Sequence, residues 1–237
     1  ELASTTDVTA FEGIGVALRA SLPLAALIVA GLASQSIAGE HGRGTLRNIL
    51  LRPLDRWRNV AAGKGLALLG AALVSYALLA SVGTLAAAAA FDFGSVSEIL
   101  PGGQRFELVP AAELYPELLR AFVYPILPLL AYAGVGFLIG ALTRSGTASL
   151  AGAFGAVVLL DLGRVFARGF GFEGWLPSAH LPSPLGDTSF LRYYDDIVQG
   201  VSNASFVHSD TALIAPFLWC VGTFAVSAVL VARRSVP

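Results

Sequence analysis

The sequence has no methionine, one cysteine and little charge. Only 13% of its 237 residues are Asp, Glu, Lys or Arg, against roughly 25% in an ordinary soluble domain. Low charge, 55% hydrophobic residues and a mean hydropathy of +0.72 together exclude a soluble globular domain and point to an integral membrane protein. The single Cys220 excludes an internal disulfide, and its place inside an apolar run makes it a small hydrophobe. The net charge of −1 carries no information about partners, because in a membrane protein the distribution of charge matters more than the total.

The motifs of soluble chemistry are also missing. There is no GxxxxGK[ST] loop to cradle a nucleoside triphosphate, no GxSxG nucleophile elbow and no HExxH pair. His41, His180 and His208 are scattered without metal-ligand spacing. A GxGxxG match at Gly169, Gly171 and Gly174 has no βαβ unit around it and is read as chance. Asp195 and Asp196 are adjacent, so their side chains diverge, and the pair is read as solvated loop charge. Asn203-Ala204-Ser205 is a glycosylation sequon that has meaning only in a secretory-pathway organism. No nucleophile, base or metal set converges, so the chain is read as carrying no catalytic, cofactor or metal site, and nothing in it suggests nucleic acid.

What is present is a series of apolar runs. Five reach or approach the roughly 20 residues a helix needs to cross a bilayer: 20–38, 65–91, 121–142, 146–160 and 212–232. Residues 1–19 hold Asp7, Glu12 and Arg19 and read as an interfacial approach to the first span. Pro125 and Pro128 predict a kinked or broken end to the third. The small residues Ser145, Ser149, Ala153, Gly152 and Gly155 predict close helix packing in the fourth. The fold class is therefore an all-α polytopic membrane protein, with 1–237 a single transmembrane domain. Residues 162–210, rich in aromatics and proline, predict an outer cap of re-entrant or interfacial helices before the last span.

The residues between the first two spans, 39–64, form a basic island that holds six of the fifteen basic residues. Placing it in the cytoplasm puts Arg144, Arg233 and Arg234 on the same side, nine basic residues in all, with only Glu40 and Asp55 of the sixteen acidic ones. This gives an N-terminus outside and a C-terminus inside. A start on the outer side requires a preceding signal or span, so one more span is expected ahead of Glu1. Within the island, Thr45 is a fitting N-cap, Leu46, Ile49 and Leu50 recur at helical spacing between Arg43, Arg47 and Arg52, and Pro53 stops the pattern. A short amphipathic helix at the inner surface follows. By charge alone, it is equally a positive-inside anchor.

Glu40, Gly44-Thr45-Leu46, Leu50-Leu51-Arg52-Pro53, Arg56 and Lys64, lying between two spans, resemble the signature of type-2 ABC transporter permeases. The layout of nearly the whole chain is similar to that family's. The resemblance implies that the five spans are the second to sixth of six, in a multi-pass cell-membrane protein. It also implies that 39–64 carries a coupling helix docking on separate cytoplasmic ATPase subunits. The coupling residues would be Glu40, Arg43, Gly44, Thr45, Leu46, Arg47, Leu50, Leu51, Arg52, Pro53 and Arg56. ATP and Mg would be bound by two ATPase copies, and a second permease copy would complete the pathway in the lipid bilayer. Polar groups in the spans, Ser34, Gln35, Ser75 and Tyr76, are candidate pathway residues, and their scarcity suggests an apolar or amphipathic cargo moved out of the cell. A non-transporting membrane anchor or assembly subunit is the alternative.

Overall fold

A computed structural model describes residues 5–6, 8–42, 62–99 and 104–233. Seven helices make up most of it: α1 (Ala10–Gly42), α2 (Gly63–Ala90), α3 (Ala111–Val123), α4 (Ile126–Leu142), α5 (Gly146–Arg168), α6 (Phe190–Val198) and α7 (Ile214–Arg233). Five stretches are long and apolar enough to cross a membrane, with α3 and α4 counted as one. The chain is an all-α polytopic membrane protein. Successive spans alternate, so the ends of α1, α4 and α7 and the starts of α2 and α5 share one end of the bundle, called here the loop end. The cap end holds everything between α5 and α7.

The first span differs from its sequence reading. Residues 10–19 are the first three turns of α1 itself, a continuous helix of 33 residues, or about 50 Å at 1.5 Å per residue. Phe11, Ile14, Leu18 and Leu22 are all buried at helical spacing, which overrides the scattered charges of Glu12 and Arg19. Pro23 lies inside α1 and leaves the carbonyl of Arg19 without its helical donor. The expected break in the third span lies at Tyr124–Pro125, between α3 and α4. Prolines 125 and 128 withhold two amide donors there, and the Tyr76 hydroxyl donates to the Phe122 carbonyl at 2.7 Å.

A three-stranded antiparallel sheet at the cap end was not foreseen. β1 (Thr5–Thr6) pairs with β2 (Val96–Ile99), which pairs with β3 (Arg105–Val109), in the order β1-β2-β3. Its strands are too short for a period-2 signal to stand out from the polar segment around them.

The core lies between α1 and α4. Eleven of the seventeen residues of α4 are buried, and both main hydrophobic clusters include residues from the two helices. Two glycines make that contact possible. A methyl group at Gly136 would overlap the carbonyl of Ala30, and one at Gly140 the carbonyl of Ser34, so the backbones meet without side chains between them. In the fourth span, Ser149 and Ala153 are buried as expected, and Ser149 Oγ donates to the Ser34 carbonyl at 3.1 Å. Gly155 faces open space, because it points away from α1. We expect Gly136→Ala and Gly140→Ala each to destabilise the bundle by about 1–3 kcal/mol through overpacking. Gly155→Ala should be neutral or mildly stabilising. Thermal melting in detergent would separate them, and equal melting of all three variants would contradict the packing described.

Candidate functional site

The loop end starts from the last turns of α1. Lys64, two residues into α2, pairs with Glu40 at 2.6 Å and donates to the Ser36 carbonyl at 2.6 Å. Its ammonium therefore sits at the C-terminal end of α1, where the helix dipole favours a cation. Gln35 Nε2 donates to the Gly146 carbonyl at 2.6 Å, and Ser145 caps α5 by accepting from the Ala148 amide. α1 is thus tied to the starts of both α2 and α5. The exposed Arg144 and Arg233 lie at the same end.

Of the expected coupling residues, Glu40 is placed as one of the two stems of the loop. Arg43, Gly44, Thr45, Leu46, Arg47, Leu50, Leu51, Arg52, Pro53 and Arg56 lie outside the described residues, as does the side chain of His41. What the structure adds is the Glu40–Lys64 pair, which joins the two stems. Its sequence signal is opposite charges flanking the island on both sides.

The candidate pathway residues do not gather. Ser34 is buried, donates to the Gly31 carbonyl at 2.8 Å and offers its own carbonyl to Ser149. Gln35 bridges to α5, Tyr76 to α3, and Ser75 is exposed on α2. Three of the four fasten one helix to another.

The cap end concentrates charge. Arg164 is fully buried and donates to the Gly186 carbonyl, to Thr188 Oγ1 at 3.3 Å and to the Ser178 carbonyl at 3.5 Å. Asp161 stands 3.4 Å away and Glu173 3.9 Å. Arg168 grips Glu173 with two hydrogen bonds of 2.9 Å, a bidentate pair of the strong kind. On the α1 side, Arg19 pairs with Asp195 and, at 3.3 Å, with Asp187, while Tyr194 Oη donates to the Phe11 carbonyl. Asp195 is therefore buried and paired rather than solvated, because α6 packs it against α1. Its neighbour Asp196 points away and pairs with Arg192 at 3.0 Å. The GxGxxG glycines lie in the turn after α5, where Gly171 adopts φ +73° and Gly174 packs on His208. Among the described residues no cluster of His, Cys, Asp and Glu could hold a metal.

Two histidines of the cap are held neutral. His180 is buried, its Nε2 2.8 Å from the Gly174 carbonyl, and burial pushes its pKa down to about 4. His208 is also pushed down by burial, against the pull of Glu173. The Arg168 hydrogen bonds hold the Glu173 carboxyl below its ordinary value.

The family profile described as ABC-2 family transporter protein matches residues 9–236. No curated protein and no solved structure matches the chain.

The cap should loosen in acid. The unfolded cap takes up the His180 proton near pH 6.5, whereas the folded one resists it to about 4. Stability therefore falls as pH drops through that window, by about 1.4 kcal/mol per unit. Glu173, depressed in the folded state, adds a loss below its unfolded value of about 4.3. Trp219 donates to the Trp175 carbonyl at 2.8 Å, so tryptophan emission reports on the cap. His180→Gln should flatten the part of the titration above pH 4, and an unchanged profile in that variant would rule out this cause.

Proposed function

This chain belongs to the ABC-2 family of transporter proteins, and we propose that it exports an apolar or amphipathic cargo from the cytoplasm, driven by separate ATPase subunits. It is the transmembrane permease component, a multi-pass membrane protein, and permeases of this family generally pair with cytoplasmic ATPase subunits. The ATPases would bind ATP and Mg, in two copies, and a second permease copy would complete the pathway.

The observation that carries this reading is the fastening of the 43–61 segment. Its stems are joined by Glu40 and Lys64, and α1 is bound in turn to α5 through Gln35. A force applied to the segment therefore enters three spans at once. The same end carries Arg144 and Arg233, in keeping with a cytoplasmic loop end and an external cap. When ATP closes the ATPase pair, the motion would reach α1 and α2 through the coupling residues between their stems. α1 and α2 tilt with it and open the interface with the second permease copy to the outside. This chain does no bond chemistry.

The double charge reversal Arg47→Glu with Arg52→Glu should leave the membrane complex assembled while abolishing cargo-stimulated ATPase activity in reconstituted vesicles. Coupling that survives both reversals would remove this role of the segment and favour a non-transporting anchor. Lys64→Ala should produce a milder loss, because it frees one stem and leaves the docking surface intact.

A further inference from the structure

At the cap end a cleft of about 440 Å³ opens between α1 and α5, within the range of drug-sized binding sites. Its walls are Ala26 and Leu27 of α1, Val157 and Val158 of α5, and Leu181 and Leu185 of the cap. A second hollow of about 400 Å³ shares Pro23 and Pro182–Pro184 with it and reaches Arg19 and Asp187. The two adjoin along those residues and are together called the channel here, with apolar walls at Ala26, Val157 and Val158 and charge at Asp161, Arg19 and Asp187.

The charged part is not balanced. Arg19 faces two carboxylates, Asp187 and Asp195. Arg164 is buried behind the cleft, donating to cap carbonyls and to Thr188 and standing 3.4 Å from Asp161, whereas a fifth of the Asp161 side chain is exposed and lines the cleft. Ser183, also in the lining, donates to Asp161 Oδ2 at 2.6 Å and orients it. Among the described residues, Asp161 is the one charged side chain lining the cleft, and Arg19 and Asp187 are those lining the second hollow, so two carboxylates stand against one guanidinium group. In surroundings of low dielectric such an excess attracts a counter-charge strongly.

We propose that this channel binds an amphipathic organic cation, its protonated amine at Asp161 and Ser183 and its apolar body between Leu27 and Val158. As the cargo's station the cleft rests on the transport reading above; as a binding site it does not. The experiment uses the full-length subunit with its ATPase partner in lipid nanodiscs, without ATP. It is labelled with a photoreactive alkylammonium probe, in competition with dodecylammonium, dodecanol or dodecyl sulfate. Label should map to residues 23–27, 157–162 and 181–185 and be displaced by dodecylammonium far better than by the neutral or anionic chains of the same length. Asp161→Asn should weaken the ammonium by about tenfold or more and leave dodecanol unchanged. Because that variant also deprives Arg164 of a partner, Val158→Trp provides a second arm. It fills the apolar part with every charge in place and should abolish labelling. Equal displacement by all three chains, or labelling indifferent to both substitutions, would overturn the site. Labelling as expected without ATP-driven movement of the probe would uphold the site and sink the transport reading.

Discussion

Gly136 and Gly140, one helical turn apart, let the backbone of α4 lie against that of α1. In a bilayer no hydrophobic effect drives helices together, so contact depends on close fit and on polar groups satisfied between helices. The two glycines provide the fit, and the hydrogen bonds from Ser149 and Gln35 provide the second term on the neighbouring face of α1. α2 and α5 are largely exposed around this pair, so the central contact holds the frame on which both ends are mounted.

The two ends are built from opposite materials. At the loop end a few surface charges tie the stems of a basic segment. At the cap end several charges are buried together, and burial of that kind is tolerated only when each group has partners. Arg164 meets that demand with cap carbonyls and hydroxyls, and Arg19 with two carboxylates from the other side of the cap. These contacts fold residues 173–195 back onto α1 and α5. α1 takes part at both ends, through Arg19 and the Phe11 carbonyl on one and Glu40 on the other.

Much of this could be read from the sequence because membrane spans announce themselves by length and hydropathy. The five spans and the break at Pro125 follow from rules that need no tertiary information. The start of α1 did not, because Glu12 and Arg19 read as interfacial residues until Asp187 and, from α6, Asp195 supply Arg19 with partners. Nor did the glycines that matter. Gly152 and Gly155 are a small-residue pair much like Gly136 and Gly140, and the neighbouring helix decides which pair meets a backbone. The cap was legible as composition but not as a charge cluster, since Arg164 meets Gly186 and Thr188, and Asp161 meets Ser183, only after the chain has turned back. Most of the basic island lies outside the described residues, and the structure contributes only its stems, Glu40 and Lys64.

Pro23 lies within α1, roughly two fifths of the way from the cap. A helix that lacks one rung bends there at the least cost, away from the side of the ring. Above the joint lies Arg19 with its two carboxylates, and below it the Gly136 contact that grips Ala30. The same proline stands in the wall of both hollows. The width of the channel is therefore set in part by the angle α1 takes at Pro23, between an upper arm held by Arg19 and a lower arm held at Ala30.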